Sequence, residues 1–392
     1  MNPHPLSGTR VLVIGAAGFL GSRLVERLVC ECRADVRVLV RRVMSAAVTS
    51  RFPIDIVVGD ITRPADVSVA VRGCGVVFNC VKGSGPDPAL RRAADVDGAR
   101  IVVEAAAAAG ARVVHVSTMA VYDRPSDGDF DERFPAAPAG DLYTDTKIAG
   151  ERTAVETGAR LGAHVTVVQP TVIYGPNAGV YGRDILQEMH THRLVLVDGG
   201  RGICNAVYID DAVSALLLAA TKTTGRGDRF LISGPEHPTW QQFLGSFEEM
   251  LGGTRTVALP ESDALTLWSR SRQRRWLLSE CGRILRDDPG IRRRVLSTRE
   301  GSIARGLVRK VFPEETRRRL RSAPSSHGAS AELPIAAVRP WVVRNMARRA
   351  RARIDKARSV LGYTPVFSLA DGMHLTRAWA QWAGLADSSD HA

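Results

Sequence analysis

Residues 10–28, RVLVIGAAGFLGSRLVERL, constrain the chain more than any other stretch. The apolar, β-branched run 10–14 predicts a strand, and Leu20, Leu24, Val25 and Leu28 recur at helical spacing. Between them stand Gly15, Gly18 and Gly21. Glycine lets such a turn take positive φ and lets the backbone come close to a bound group. The helix then begins with free N–H groups and partial positive charge, which suits a phosphate. A strand, a glycine turn and a helix in this order open a β-α-β unit that holds a dinucleotide pyrophosphate.

The pattern continues downstream. Residues 35–42, 55–61, 75–81, 112–122, 164–176 and 229–234 read as further apolar strands, and 100–111 and 207–220 as helices. Apolar strands alternating with helices imply parallel strands covered on both faces. The expected fold class is therefore α/β: a doubly wound parallel Rossmann sheet with a smaller, mostly helical C-terminal substrate domain. The dinucleotide domain is placed at residues 8–180, with strand 229–234 joining its sheet. The substrate-binding region is placed at 181–228 and 235–392, and it includes an arginine-rich helical insertion at 262–353. A small-residue linker is read at 322–334.

Composition narrows the setting. No stretch of the 392 residues offers about 18 uninterrupted apolar positions, so no transmembrane helix is expected. The start, MNPHPLSGTR, lacks a charged-then-apolar signal pattern. The six cysteines (30, 32, 74, 80, 204 and 281) form no C-x-x-C pair, which fits reduced thiols in a cytoplasm and no metal site. The net charge of +12 is local: between Arg270 and Arg353 lie 22 arginines and one lysine against seven acids. A solvated helical face is the default reading of this cluster. Peripheral attachment to an anionic membrane comes next, because Trp268, Trp276, Leu277 and Leu278 interleave with Arg270, Arg272, Arg274 and Arg275. Nucleic-acid binding ranks last, since no recognition module accompanies the charge.

A dinucleotide with a bare ribose usually meets an acid at the end of the second strand. Here Val40 stands there, and Arg41 and Arg42 follow. A guanidinium fork suits a 2′-phosphate, so NADP(H) is favoured and NAD(H) is the alternative. Asp60, after the third strand, is a reasonable partner for the adenine amino group.

Four patterns then occur in one order: GAAGFLG (15–21), HVSTMAVY (115–122), YTDTK (143–147) and QPTVIYGP (169–176). In this combination the chain resembles the extended short-chain dehydrogenase/reductase superfamily, within its NAD-dependent epimerase/dehydratase group. NAVYIDDA (205–212) and VRVLVRR (36–42) are similar to the 3β-hydroxysteroid dehydrogenase and dihydroflavonol reductase branch, and DKARSVLGYTP (355–365) to the family's C-terminal segment. The resemblance implies that Thr118, Tyr143 and Lys147 are catalytic. It places cofactor contacts at Gly15, Gly18, Phe19, Leu20, Gly21, Arg41, Asp60, Ile61, Lys147, Pro170 and Tyr174. Thr118 would orient a substrate oxygen and Tyr143 would exchange its proton. The Lys147 ammonium, together with the positive nicotinamide ring, would favour phenolate and lower the phenol's pKa from its free value of about 10.

Met119 and Ala120 replace the Asp-Glu pair of the family's dehydratases, so dehydration is not expected. The arginine with which some members grip nucleotide diphosphates aligns with Cys204. Lys82 follows the fourth strand, where it would touch cofactor phosphate or substrate, or simply face solvent. The expectation is an oxidoreductase interconverting a secondary alcohol and a ketone on a sugar, sterol-like or isoprenoid small molecule. A nucleotide-sugar epimerase with tightly held NAD+ and a non-catalytic NADP-sensing protein are the rivals. The sequence leaves the oligomeric state open, although members of the family it resembles often form a homodimer through two helices of the cofactor domain. Asp210 and Asp211 are read as helix N-caps, His115 as a sheet histidine, and Trp379 and Trp382 as packing residues.

Overall fold

The computed structural model describes residues 3–85, 87–222, 224–271 and 333–386. Most of the linker expected at 322–334 and of the arginine-rich helical insertion expected at 262–353, with Arg272, Arg274, Arg275, Trp276, Leu277 and Leu278, lies outside those residues.

Seven parallel strands form the central sheet: β1 (Arg10–Ile14), β2 (Asp35–Val40), β3 (Asp55–Val58), β4 (Val76–Asn79), β5 (Arg112–Val116), β7 (Val165–Pro170) and β11 (Arg229–Ile232). Their order across the sheet is β11-β7-β5-β4-β1-β2-β3. The direction of winding reverses between β1 and β4, which opens the crevice where ligands of doubly wound sheets sit. Strands covered on both faces need apolar residues at successive positions, and β4 and β7 are buried throughout.

On one face α1 (Phe19–Cys30) and α7 (Ile209–Thr221) bury Leu24, Val25, Leu28, Val213 and Leu216. On the other, α2 (Pro64–Val71), α4 (Gly98–Ala109) and α5 (Leu142–Leu161) bury Val67, Val71, Val102, Ala106 and Ala154. The approach of α5 is close: a Cβ on Gly150 would lie 2.3 Å from the Asp95 carbonyl oxygen.

The single strand read at 164–176 is two elements. β7 ends at Pro170, the chain turns at Thr171, and β8 (Val172–Tyr174) pairs instead with β10 (Ala206–Tyr208). A proline donates no N–H to a ladder, and the Thr171 N–H is the last to bond across to Ile232. The helix read from 207 begins at Ile209, after β10.

Its two acids do not cap it. The N-cap is Tyr208, with no side-chain bond. Asp210 takes two bonds from Arg23, at 2.6 and 3.0 Å, which ties α7 to α1. Asp211 accepts from the N–H groups of Val366 and Phe367, at 3.0 and 3.1 Å, and so pins the C-terminal segment to the sheet domain. Long-range partners outcompeted the local cap.

Beyond the sheet, β9 (Leu194–Val197) pairs with β12 (Thr256–Leu259), and β6 (Asp129–Phe130) with β13 (Arg351–Ala352). Helix α8 (Trp240–Met250) and the closing helix Leu369–Trp382 complete the smaller region. Trp379 donates to Asn177 at 3.1 Å, whereas Trp382 is 85% exposed and packs against nothing substantial. Among the described residues no helix is long and apolar enough to cross a membrane.

Candidate active site

The glycine turn is shaped to admit a pyrophosphate. Gly15 sits at φ +88°, and a Cβ there would meet the Cys80 backbone at 2.8 Å. A Cβ on Gly21 would lie 2.2 Å from the Gly15 carbonyl oxygen. Gly18 is the N-cap of α1, with no side-chain bond and no acid in the first turn. The helix therefore presents uncapped amides, flanked by half-buried Phe19 and Leu20, to whatever lies against it.

At the far end of this crevice, β2 ends at Val40 and exposed Arg41 and Arg42 follow. Neither arginine has a carboxylate partner within ion-pair distance among the described residues. Asp60 accepts at one oxygen from the Thr62 N–H and hydroxyl, at 2.9 and 2.8 Å, leaving its other oxygen without a donor among the described residues. Burial acts to raise its pKa, but the Thr62 bonds and the charges of Arg41 and Arg63 outweigh burial and hold it low. Ile61 is buried against Gly98. These groups fit a dinucleotide: an uncapped helix start for its diphosphate, and a carboxylate and guanidinium for its adenosine end.

Thr118, Tyr143 and Lys147, the residues expected to handle the proton, gather at the C-terminal ends of β4 and β5. Asp141 caps α5 by accepting from the Tyr143 and Thr144 N–H groups, at 3.1 and 3.0 Å, and this fixes Tyr143 in the first turn. One turn on, buried Lys147 donates to the carbonyls of Val81 and Val116, at 3.0 and 3.1 Å. An ammonium has three N–H donors, so one remains for a ligand. Thr118 leaves β5 extended and receives the Ala120 N–H on its hydroxyl at 3.2 Å. The neighbouring Ser117 hydroxyl is buried without a partner.

The protein's own groups push the two side chains as follows. The Tyr143 phenol is pushed up, not down: burial raises it, Asp95 and Asp141 add to that, and only hydrogen bonding with Thr118 opposes. Lys147 is itself lowered by burial, partly offset by Asp95. Its ammonium is spent on two carbonyls and does not reach the phenol as a dominant charge.

Asp95 was missed in the sequence reading. Residues Ala93–Asp97 form a π-turn, a rare distortion that often marks functional sites. It turns the Asp95 carboxylate inward, where it accepts from the Gly83 N–H at 2.8 Å and the Thr146 hydroxyl at 2.9 Å. The sequence carries little signal for it, because Asp97 stands two residues on and Arg91, Arg92 and Arg100 flank the pair.

Two tyrosines are assigned elsewhere by their partners. Tyr122 donates to Gln169, which donates to Glu151, itself paired to Arg229. Tyr174, expected beside the cofactor, is buried against the closing helix. Its hydroxyl donates to the Ser368 carbonyl at 3.3 Å, and its ring meets Tyr208 and Phe243 edge-on. Pro170 is buried at the end of β7.

His115 lies in β5 opposite Asn79, whose amide is 3.3 Å from its Nδ1. Burial, with the Lys147 charge adding, pushes its pKa down to about 3. An unfolded histidine titrates near 6.5. Above that pH the group costs nothing. As pH falls toward 3 the unfolded chain takes up a proton that the fold refuses, so stability is lost. About 2–3 kcal/mol should be gone at pH 4.5. Urea midpoints of wild type and His115→Gln between pH 7.5 and 4.5 test this: the wild type should lose stability more steeply. Parallel slopes would refute it. Among the described residues no cluster of three metal-ligating side chains exists.

Comparison with known proteins shows the family and the fold. The model of the NAD dependent epimerase/dehydratase family matches residues 11–233. A 4-hydroxy-2-methyl-3-oxo-4-farnesyl-3,4-dihydroquinoline-1-oxide ketoreductase of Stigmatella aurantiaca is 29% identical over 236 residues, which cover 57% of this chain and 68% of that protein. A 3-beta-hydroxysteroid dehydrogenase of Mycolicibacterium neoaurum is 27% identical over 224 residues, 54% of this chain and 60% of that one. A UDP-glucose 4-epimerase of Mycolicibacterium smegmatis is 30% identical over 243 residues, 56% and 76% of the two chains. Among solved structures, UDP-glucuronic acid 4-epimerase from Bacillus cereus in complex with NAD matches with a TM-score of 0.65 at 18% identity, covering 96% of this chain and 99% of that one. At that identity the likeness speaks for the fold. The chain belongs to the NAD dependent epimerase/dehydratase family, whose relatives named here are dehydrogenases, reductases and epimerases.

Proposed function

We propose that the protein is an NADP(H)-preferring oxidoreductase that interconverts a secondary alcohol and a ketone. The observation that carries this reading is the placement of Lys147 one helical turn after Tyr143, bonded to the carbonyls of Val81 and Val116 at the ends of β4 and β5, with Thr118 beside them acting to lower the phenol's pKa. Tyr143 exchanges a proton with the substrate oxygen, and Thr118 donates to that oxygen and orients it. Lys147 locks the ends of β4 and β5 and offers its remaining N–H to the cofactor ribose.

The nicotinamide, when bound, supplies or accepts the hydride. Gly15, Gly18 and Gly21 with the amides of Phe19 and Leu20 hold the diphosphate, Asp60 and Ile61 the adenine, and Arg41 the 2′-phosphate. Met119 and Ala120 offer no acid-base pair for dehydration. The ketoreductase and the steroid dehydrogenase among the relatives favour net oxidation or reduction. The 30%-identical epimerase supports a second reading, transient oxidation on retained NAD+.

The test is oxidation of NADPH and NADH with a panel of cyclic ketones, alongside native mass spectrometry of the purified protein. NADPH should be preferred by about tenfold, and Arg41→Gln should remove most of that preference through KM for NADPH. Retained NAD+ with no net oxidation of either cofactor would support the epimerase instead. Faster turnover with NADH would overturn the NADP(H) assignment.

A further inference from the structure

A cavity of about 220 Å³ lies where the C-terminal segment meets the loop after β11. Sites for drug-sized molecules start at about 300 Å³, so this one suits a smaller ligand. Its lining includes no residue of the cofactor crevice and none of Thr118, Tyr143 and Lys147. Arg351, Arg353, Arg358 and His237 line it, with Asp129 and Asp355. Arg353 already has its counter-ions: it pairs with Asp129 at 3.0 Å and with Asp355 at 2.9 Å. Arg351 and Arg358 are exposed, and neither guanidinium has a hydrogen bond or ion pair among the described residues. Their N–H forks remain open to a ligand.

The backbone that carries these cations is fixed before any ligand arrives. Arg351 and Arg353 alternate with buried Ala352 and Ile354, so the two arginines share one face of an extended segment. Their N–H groups donate to the Gly128 and Phe130 carbonyls, each at 2.8 Å. Buried Asn205, at φ +49°, grips the same segment through the Ala350 carbonyl and the Ala352 N–H, both at 2.9 Å. The other wall, the loop 234–238, is held from the same place. Gly234 donates to the Ala206 carbonyl at 3.1 Å, and Cys204 to the Pro238 carbonyl at 2.8 Å. Residues 204–206 thus set both walls, and a ligand has little backbone to reorganise. Burial and then the charge of Arg351 hold the His237 pKa low, so at neutral pH its ring is uncharged and offers one N–H.

We propose that this cavity is a second ligand site, separate from the catalytic groups, which binds a small divalent oxyanion through Arg351, Arg358 and His237. It stands independently of the oxidoreductase reading. Each guanidinium presents a planar pair of N–H donors that matches two oxygens of a phosphate or a carboxylate. The two unpaired charges balance a divalent anion. The anion joins three segments distant in sequence: the loop after β11, the extended segment at 351–353, and the helical turn Ala357–Leu361 that carries Arg358. Its binding therefore holds the C-terminal segment against the sheet domain.

The test titrates the full chain calorimetrically, with NADP+ present and at constant ionic strength, using inorganic phosphate, succinate and, as a monovalent control, acetate. Phosphate or succinate should bind at one site, about tenfold or more tighter than acetate. Arg351→Gln and Arg358→Gln should each weaken that binding by about tenfold, whereas Arg41→Gln, in the cofactor crevice, should leave it unchanged. Tighter phosphate identifies a phosphoryl ligand, and tighter succinate a dicarboxylate. Amide hydrogen exchange locates the effect. The Arg351 and Arg353 amides should exchange about threefold or more slowly with the anion bound, in the wild type and not in the Arg351 and Arg358 variants. Both arginines are exposed, so these variants should unfold in chloride at the wild-type urea midpoint, which separates loss of binding from loss of fold. Divalent anions that bind no tighter than acetate, binding that both variants retain, or protection confined to other segments would overturn the proposal.

Discussion

Tyr143→Phe should lower turnover by roughly 10²–10⁴-fold while leaving cofactor affinity and fold unchanged, because it deletes only the proton-exchanging hydroxyl. The phenyl ring keeps its place beside Lys82, and the Asp141 cap binds backbone N–H groups that the substitution retains. The pH dependence supplies a second signature. Alcohol oxidation needs the phenolate and ketone reduction needs the phenol. Burial holds the phenol above its ordinary value in the unliganded protein, so the oxidation rate should climb with pH across the neutral and alkaline range. Reduction should stay flat there and fall only as the phenol ionises. Bound oxidised nicotinamide is positively charged and brings the rise to lower pH. Thr118→Ala should move it to higher pH, since the Thr118 bond is the one local influence that favours phenolate. A Tyr143→Phe enzyme with wild-type kcat, or one that keeps the same pH slope, would remove Tyr143 from the chemistry.

The fold was legible because parallel strands buried on both faces must be written in apolar residues. β1, β4 and β7 are therefore visible without any partner. Two features were not legible, for a common reason. The direction of the Tyr143 shift depends on how much protein surrounds the phenol, which spacing on a helix does not reveal. Asp210 and Asp211 stand where caps stand, but their partners are Arg23, 187 residues away in sequence, and the amides of Val366 and Phe367, 155 and 156 residues away. Local grammar predicts local structure. The charges that tune this site come from segments far apart in sequence.

The glycine turn yields the other large effect, and two of its members should fail in different ways. At Gly21 a new Cβ would sit 2.2 Å from the Gly15 carbonyl oxygen, 2.8 Å from the Gly15 carbonyl carbon and 3.0 Å from the Ala16 Cα, all backbone atoms. None can yield as a side-chain tip would, so α1 must move away from the end of β1. That shift removes the uncapped amides from the phosphate position and also loosens Leu24, Val25 and Leu28, which anchor α1 in the core. Gly21→Ala should therefore lose about 2 kcal/mol or more of stability, in the range of overpacked cores, and abolish measurable NADP(H) binding. Gly18 is different: its added Cβ would approach only the Gly15 oxygen, at 3.3 Å, in an N-cap conformation open to any residue. Gly18→Ala should unfold within about 1 kcal/mol of wild type yet bind NADP(H) at least about tenfold more weakly, because the methyl group intrudes where the diphosphate approaches. Urea unfolding and cofactor titration on both variants separate the two effects. If Gly18→Ala bound NADP(H) like wild type, the pyrophosphate would have to lie elsewhere, and the orientation of the nicotinamide toward Tyr143 would go with it.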